Sequence, residues 1–240
     1  MKAIKIILLL VGIGLFVSNR SEAGNNGCVI LLHGLARTNH SMFKLASLLK
    51  KHHYVVVNRN YPSTRKSIDS LANEFISPMV DDCLTHHARH IHFVTHSLGG
   101  IILQQYLQKH RIVGLDTIVM LAPPNHGSPL ADKLHPNWIF RFFLGPSLAE
   151  LTTTKRHPSM IHGQYKIGII AGNYHLNPFS NLIFAEPNDG KVAVSSTKLE
   201  RMDDFIILPV THTFIMQNAF VEKQILYFLT HAHFMHSHKV

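Results

Sequence analysis

The sequence predicts an α/β fold, a mostly parallel central sheet covered by helices on both faces. Three observations carry this expectation. Short apolar runs alternate with segments of helical periodicity along most of the chain. Strands separated by helices pair in parallel through crossover connections. The 240 residues, 46% hydrophobic and 15% charged, form a globular composition that suits one sizeable core. A second full domain would be cramped in this length, and no internal repeat or low-complexity tract is visible.

The elements follow in order. Cys28-Val-Ile-Leu-Leu-His33 is a short apolar run closed by Gly34 and reads as a buried strand. Ser41 to Lys51 has helical spacing, with Met42, Leu45, Leu48 and Leu49 on one face. Tyr54-Val-Val-Val57 is β-branched and reads as the next strand. Ser67 to Met79 reads as a helix, Ile91 to Val94 as a strand and Leu98 to His110 as a helix. Thr117 to Leu121 is a strand that stops at Pro123-Pro124. Lys166 to Ile170 and Phe205 to Leu208 are two further strands, and a helix covers about Asn218 to Leu229.

The N-terminus reads as a targeting segment. Lys2 and Lys5 give a positive start, Ile6 to Val17 is an uncharged apolar run, and Ser21-Glu22-Ala23 offers a cleavage site. A bilayer-spanning helix needs about 20 apolar residues, and this run is shorter. The expectation is a signal peptide over 1–23 and a periplasmic or secreted domain over 24–240. An uncleaved membrane anchor is the alternative. Cleavage would remove three positive groups (Lys2, Lys5, Arg20) and one negative (Glu22), lowering the net charge from +9 to +7. A basic surface favours anionic partners. No Lys/Arg cluster with interleaved aromatics is present, so nucleic acid is not an expected partner. Cys28 and Cys83 would sit toward the same end of a parallel sheet. They read either as a disulfide, natural in an oxidising compartment, or as two separate buried thiols.

In parallel sheets the chemistry collects at the carboxyl ends of the strands. Thr95-His96-Ser97-Leu98-Gly99-Gly100 lies between a strand and a helix, the setting of a nucleophile elbow. Ser97 is the candidate nucleophile. Gly99 allows strand and helix to approach closely, whereas Thr95 stands where a glycine is usual, so a tighter or slightly displaced turn is expected. A plain helix start with Ser97 as N-cap is the bland reading. The loop at His33-Gly34-Leu35 would supply one backbone N–H of an oxyanion hole, and Leu98 the other. His33 itself reads as a structural ring.

A base must stand beside Ser97, with a carboxylate to orient it. The chain holds 20 histidines, so position decides. His212 follows the last strand directly. Asp189, in Asn188-Asp189-Gly190, follows the preceding strand, although Asp-Gly is also an ordinary turn. Asp203 and Asp204 precede the last strand and belong at the other end of the sheet. His96 adjoins the nucleophile but should point elsewhere. His231, His233, His236 and His238 read as a solvated tail without the further ligands of a metal site.

Together these residues resemble bacterial lipases and esterases of the α/β-hydrolase superfamily. The resemblance rests on Leu32-His33-Gly34-Leu35, the Thr95–Gly100 segment, Ala122-Pro-Pro-Asn-His126-Gly127-Ser128, Asn188-Asp189-Gly190-Lys191-Val192 and Val210-Thr-His212. It implies an α/β-hydrolase fold with a small cap or lid over about 130–163. Asn-Asp-Gly-x-Val looks like the acid loop of triacylglycerol lipases, which supports Asp189. Pro-Asn-His-Gly-Ser looks like a structural border of the active site. His33-Gly-Leu-Ala-Arg37 with Asn60-Tyr-Pro-Ser63 is similar to a group of small bacterial hydrolases. One large group of secreted lipases holds calcium with an aspartate just after the histidine. Here Thr213 and Phe214 follow, so no calcium is expected by that route.

The implied function is cleavage of a lipid or other hydrophobic carboxylic ester through an acyl-enzyme, with no cofactor. Trp138, Phe140 and Phe143, in an aromatic cluster around Arg141, are the candidate substrate-binding residues. That cluster reads either as a patch for an acyl chain or lipid surface, or as a helix packed into the core. The loop 173–187, with Phe179, Leu182 and Phe184, is a candidate opposite wall. Thioester or amide cleavage, acyl transfer, and a catalytically silent lipid-binding protein are the alternatives.

Overall fold

The structure is a computed structural model that describes residues 27–155, 163–176 and 180–236. The expected signal peptide lies outside the described residues, as do Phe179, His238 and part of the expected cap. In chain order the elements are β1 (Gly27–Leu32), α1 (Phe43–Lys51), β2 (Val55–Val57), α2 (Ile68–Thr85), β3 (His90–His96), α3 (Leu98–Lys109) and β4 (Leu115–Leu121). Three short helices follow, α4 (Pro129–Leu134), α5 (Trp138–Leu144) and α6 (Pro146–Glu150). Then come β5 (Lys166–Gly172), α7 (Ser180–Ile183), β6 (Asp204–Leu208) and α8 (Ala219–His231).

The strands form one six-stranded sheet in the order β2-β1-β3-β4-β5-β6, with every pairing parallel. Side chains along β1 alternate between two apolar clusters, as the period of a strand requires. Cys28, Ile30 and Leu32 join the cluster holding Leu71 and Ile76 of α2 and Ile101 of α3. Val29 and Leu31 join the cluster holding Leu45 and Leu49 of α1 and Val221, Ile225 and Phe228 of α8. Each buried aliphatic or aromatic side chain contributes roughly 1.5–3 kcal/mol relative to exposure. Burial on both faces explains why the strands read as continuous apolar runs.

Two elements differ from expectation. Helix α2 runs through Pro78 to Thr85, six residues past Met79. Met79, Val80 and Cys83 continue its buried face, so tertiary packing outweighs the proline. In the C-terminal segment His231, His233 and His236 are exposed, as expected, but the backbone and Phe234 dock onto the fold. Phe234 is buried and packs on Phe228 at 4.7 Å between ring centroids, and its N–H donates to Asp204 at 2.7 Å. His236 reaches the same carboxylate at 2.9 Å.

Cys28 is the second residue of β1, and Cys83 sits in the last turn of α2, which returns to the amino end of the sheet. The two are joined in a disulfide. Asp203 also belongs to this end, where it pairs with Lys166 at 2.8 Å. Among the described residues no helix is long and apolar enough to cross a membrane.

Candidate active site

The turn between β3 and α3 holds Ser97 at φ 52° and ψ −119°, a region that non-glycine residues rarely occupy. Such strain persists only where packing enforces it. Gly99 permits that packing. A Cβ there would lie 2.6 Å from the Leu32 carbonyl oxygen and 2.8 Å from the Leu32 Cβ, so α3 could not approach β1. Gly34 does the same on the other side, since a Cβ would lie 2.9 Å from His96 Nδ1 and 3.3 Å from Ser97 Cβ.

Thr95 does not displace the turn. It keeps register with Leu32 on β1 and Met120 on β4. The space it needs comes from Gly100, where a Cβ would stand 3.1 Å from the Thr95 hydroxyl. The bulk added at Thr95 is therefore balanced by the missing side chain at Gly100.

Asp189 and His212 meet at the carboxyl end of the sheet. His212 Nδ1 donates to Asp189 Oδ2 at 2.7 Å, and both side chains are nearly inaccessible, at 6% and 1%. Asp189 Oδ1 accepts the N–H groups of Lys191 at 3.0 Å and Val192 at 2.8 Å. The His212 N–H donates to the Asp189 carbonyl at 3.0 Å. Carboxylate and ring are thus fixed by four hydrogen bonds. That arrangement leaves His212 Nε2 as the ring atom available for proton transfer.

Ser97 and His212 line one cavity of about 210 Å³. Its apolar wall comes from the excursion after β4, through Leu130 and Leu134 and through Leu144, Leu148 and Leu151. Leu35 lines it from the loop after β1. Leu98 is the first residue of α3, so its N–H has no helical carbonyl before it and is available at the elbow. A second cavity of about 340 Å³ lies beyond His212 and shares Leu130 and Lys191 with the first. His175, Leu176 and Ile183 contribute to it, while Phe184 of the same loop is buried.

Trp138, Phe140 and Phe143 lie outside the lining of both cavities. No residue of α5 is buried, and Trp138 and Phe142 are 68% and 76% exposed. The core-helix reading of this segment is therefore overturned. Only Leu144, at its end, turns toward the cavity.

The surrounding histidines have structural parts. His33 is fully buried and stacks on Tyr61 at 3.8 Å. Its Nδ1 donates to the Gly34 carbonyl at 3.0 Å, its Nε2 accepts the Tyr61 N–H at 3.4 Å, and the Tyr61 hydroxyl donates to the His33 carbonyl. Burial lowers its pKa. His96, set aside as a base, donates Nε2–H to the His212 carbonyl at 3.1 Å. Burial first, then the nearby charges of His212, Lys191 and Arg37, hold its pKa well below the usual value, so the ring is neutral. This contact joins residues 116 apart and has no local sequence signal.

The Pro123–Ser128 loop is a border, tied down by Asn125 Nδ2 to the Thr197 carbonyl at 2.6 Å and by Ser128 Oγ to the Lys191 carbonyl at 2.6 Å. Among the described residues no group of three His, Cys, Asp or Glu side chains is placed to hold a metal ion.

A strained serine between strand and helix, with a carboxylate-bound histidine on the same cavity, fits one family. The family model described as alpha/beta hydrolase family matches residues 29–193. The chain belongs to the alpha/beta hydrolase family.

Solved structures agree on the fold of this hydrolase. A Bacillus licheniformis lipase in mature form superposes with a TM-score of 0.71 at 19% identity, covering 86% of this chain and 93% of that one. A metagenomic carboxyl esterase gives 0.64 at 16% identity, covering 80% and 66%. A Legionella pneumophila phospholipase gives 0.59 at 20% identity, covering 72% and 44%. No curated protein sequence matches the chain.

Proposed function

We propose that this hydrolase cleaves hydrophobic carboxylic esters, with Ser97 as nucleophile, His212 as base and Asp189 as its orienting acid. The observation that carries the reading is the buried 2.7 Å bond between His212 Nδ1 and Asp189 Oδ2, on the cavity that Ser97 also lines. His212 Nε2 takes the Ser97 proton as the hydroxyl attacks the ester carbonyl. The N–H groups of Leu35 and Leu98 hold the developing oxyanion. His212 returns the proton to the departing alcohol, and water releases the acid through the same base. The leucine wall of the first cavity suits an acyl chain. Structural neighbours named as lipase, phospholipase and carboxyl esterase support an ester substrate.

Exposed aromatics along α5 support transient contact with a lipid surface beside the mouth. The disulfide supports export to an oxidising compartment, in line with the expected signal peptide.

The test is hydrolysis of p-nitrophenyl esters of graded chain length, with fluorophosphonate labelling. Turnover and labelling are expected for the wild type and neither for Ser97→Ala. Asp189→Asn is expected to lower kcat by about 10⁴-fold, because the ring loses its orienting acceptor. Full activity in Ser97→Ala refutes the nucleophile, and a wild type that cleaves no ester, thioester or amide refutes hydrolysis.

A further inference from the structure

We infer that Arg37 and Lys191 form a subsite for an anionic group carried on the alcohol part of the ester. The inference rests on hydrolysis at Ser97 and adds the class of substrate. Both residues line the cavity of Ser97 and His212, and Lys191 also lines the second cavity beyond His212.

Their backbones are anchored. The Lys191 N–H donates to Asp189 Oδ1 at 3.0 Å, and its carbonyl accepts from Ser128 Oγ at 2.6 Å. The Arg37 N–H donates to the Gly34 carbonyl at 3.3 Å, and the preceding Ala36 N–H to Ser63 Oγ at 3.1 Å. The two charges thus rise from anchored loops that border the same cavity.

Among the described residues neither charge forms an ion pair. The carboxylate acting on Lys191 is Asp189, whose oxygens are already engaged by His212 and two amides. Lys191 is exposed at the mouth, yet partial desolvation and then the charge of Arg37 lower its pKa, against the pull of Asp189. Two like charges held together without a partner raise each other's energy, and a bound anion relieves that energy. Arginine offers a bidentate fork for phosphate or carboxylate, and lysine a mobile point charge.

The chemistry of the base fixes which half of the substrate carries the anion. His212 hands its proton to the leaving oxygen, so the alcohol lies on the His212 side. Lys191 stands there, and the second cavity opens there with Thr211 and Thr213 in its wall. The leucine wall of the first cavity takes the acyl chain, and Arg37 and Lys191 border that same cavity. The ester C–O bond breaks, water supplies the hydroxyl of the released acid, and the anionic group leaves unchanged on the alcohol.

The experiment compares kcat/KM for 1-hexanoylglycerol and 1-hexanoylglycerol 3-phosphate at low ionic strength. The wild type is expected to prefer the phosphorylated ester by about tenfold or more, with the ratio shrinking as salt rises. Lys191→Met and Arg37→Met are each expected to lower that ratio about fivefold, and the double variant to bring it near one. Inorganic phosphate is expected to compete with the neutral ester in the wild type and not in the double variant. Equal turnover of the two esters by the wild type overturns the inference, as do variants that slow both esters alike. Phosphate inhibition without preference for the phosphorylated ester overturns it too, since the substrate then places no anion there. A wild type that cleaves neither of these esters but turns over p-nitrophenyl esters overturns the inference alone, and one that cleaves none of them overturns hydrolysis at Ser97 as well. Turnover of the neutral ester without preference overturns the inference alone.

Discussion

His96 donates its Nε2–H to the carbonyl of His212 at 3.1 Å, so the residue beside the proposed nucleophile holds the backbone of the proposed base. The two rings lie 4.8 Å apart and tilted, close enough that the charge of His212 disfavours charge on His96. A neutral, hydrogen-bonded ring steadies the loop that carries His212 without competing for protons.

Replacing that donor tests the relationship. His96→Phe keeps a ring and removes one hydrogen bond, typically about 1 kcal/mol. The expected outcome is a fivefold to tenfold lower kcat with little change in KM. The acid limb of the pH–rate profile is expected to persist as a single ionisation. Complete loss of turnover in a folded variant would instead make His96 a proton carrier.

The elbow glycines are not equivalent. A methyl at Gly99 meets backbone that cannot yield, whereas a methyl at Gly100 meets the Thr95 side chain. Gly99→Ala is expected to destabilise by about 3 kcal/mol, the upper range for overpacking, and Gly100→Ala by less. The cost of Gly100→Ala is expected to shrink in a Thr95→Ala background, as coupling between touching residues requires. Urea unfolding of the four variants gives the comparison, and strict additivity would refute the contact.

Acid should destabilise the fold. His33, His92 and His96 all have lowered pKa values, chiefly through burial, with His92 near 4. The unfolded chain takes up protons near pH 6.5, while the folded rings stay neutral. Their contribution is therefore complete above pH 6.5 and is lost progressively as pH falls, levelling for His92 only near 4. Tm is expected to drop steadily between pH 7 and 4.5. His92→Leu combined with Thr117→Val removes the ring and the hydroxyl it bonds at 2.8 Å, and should flatten part of that slope. A Tm independent of pH over this range contradicts the argument.

Reduction supplies another measurement. The disulfide closes a separation of 55 residues, for which chain entropy gives roughly 4 kcal/mol. Cys28→Ala with Cys83→Ala is expected to unfold at lower urea with an unchanged sheet signature in circular dichroism. Equal stability of the two forms refutes the contribution.

Much of this molecule is legible in its sequence. Strand and helix periods placed the elements, and the rule that chemistry follows strands singled out His212 and Asp189 among many histidines and several aspartates. The cavity wall was not legible. In a helix as short as α5, apolar all round except Arg141, no periodicity tells which face turns inward. The wall is made instead by spaced leucines on neighbouring elements. The docking of Phe234 was also hidden, since one aromatic among exposed histidines carries no pattern. The extension of α2 past Pro78 shows packing overriding a local breaker.

The segment through His236 is pinned by Asp204 to the first residue of β6, while Ser97 follows the last residue of β3. Parallel strands put those two points at opposite poles of the molecule. A fusion partner or solid support coupled at His236 therefore sits at the pole opposite the mouth. Immobilised that way, the enzyme would keep its cavity, its paired cations and the aromatic helix facing open solution, free to meet an emulsion droplet or a vesicle.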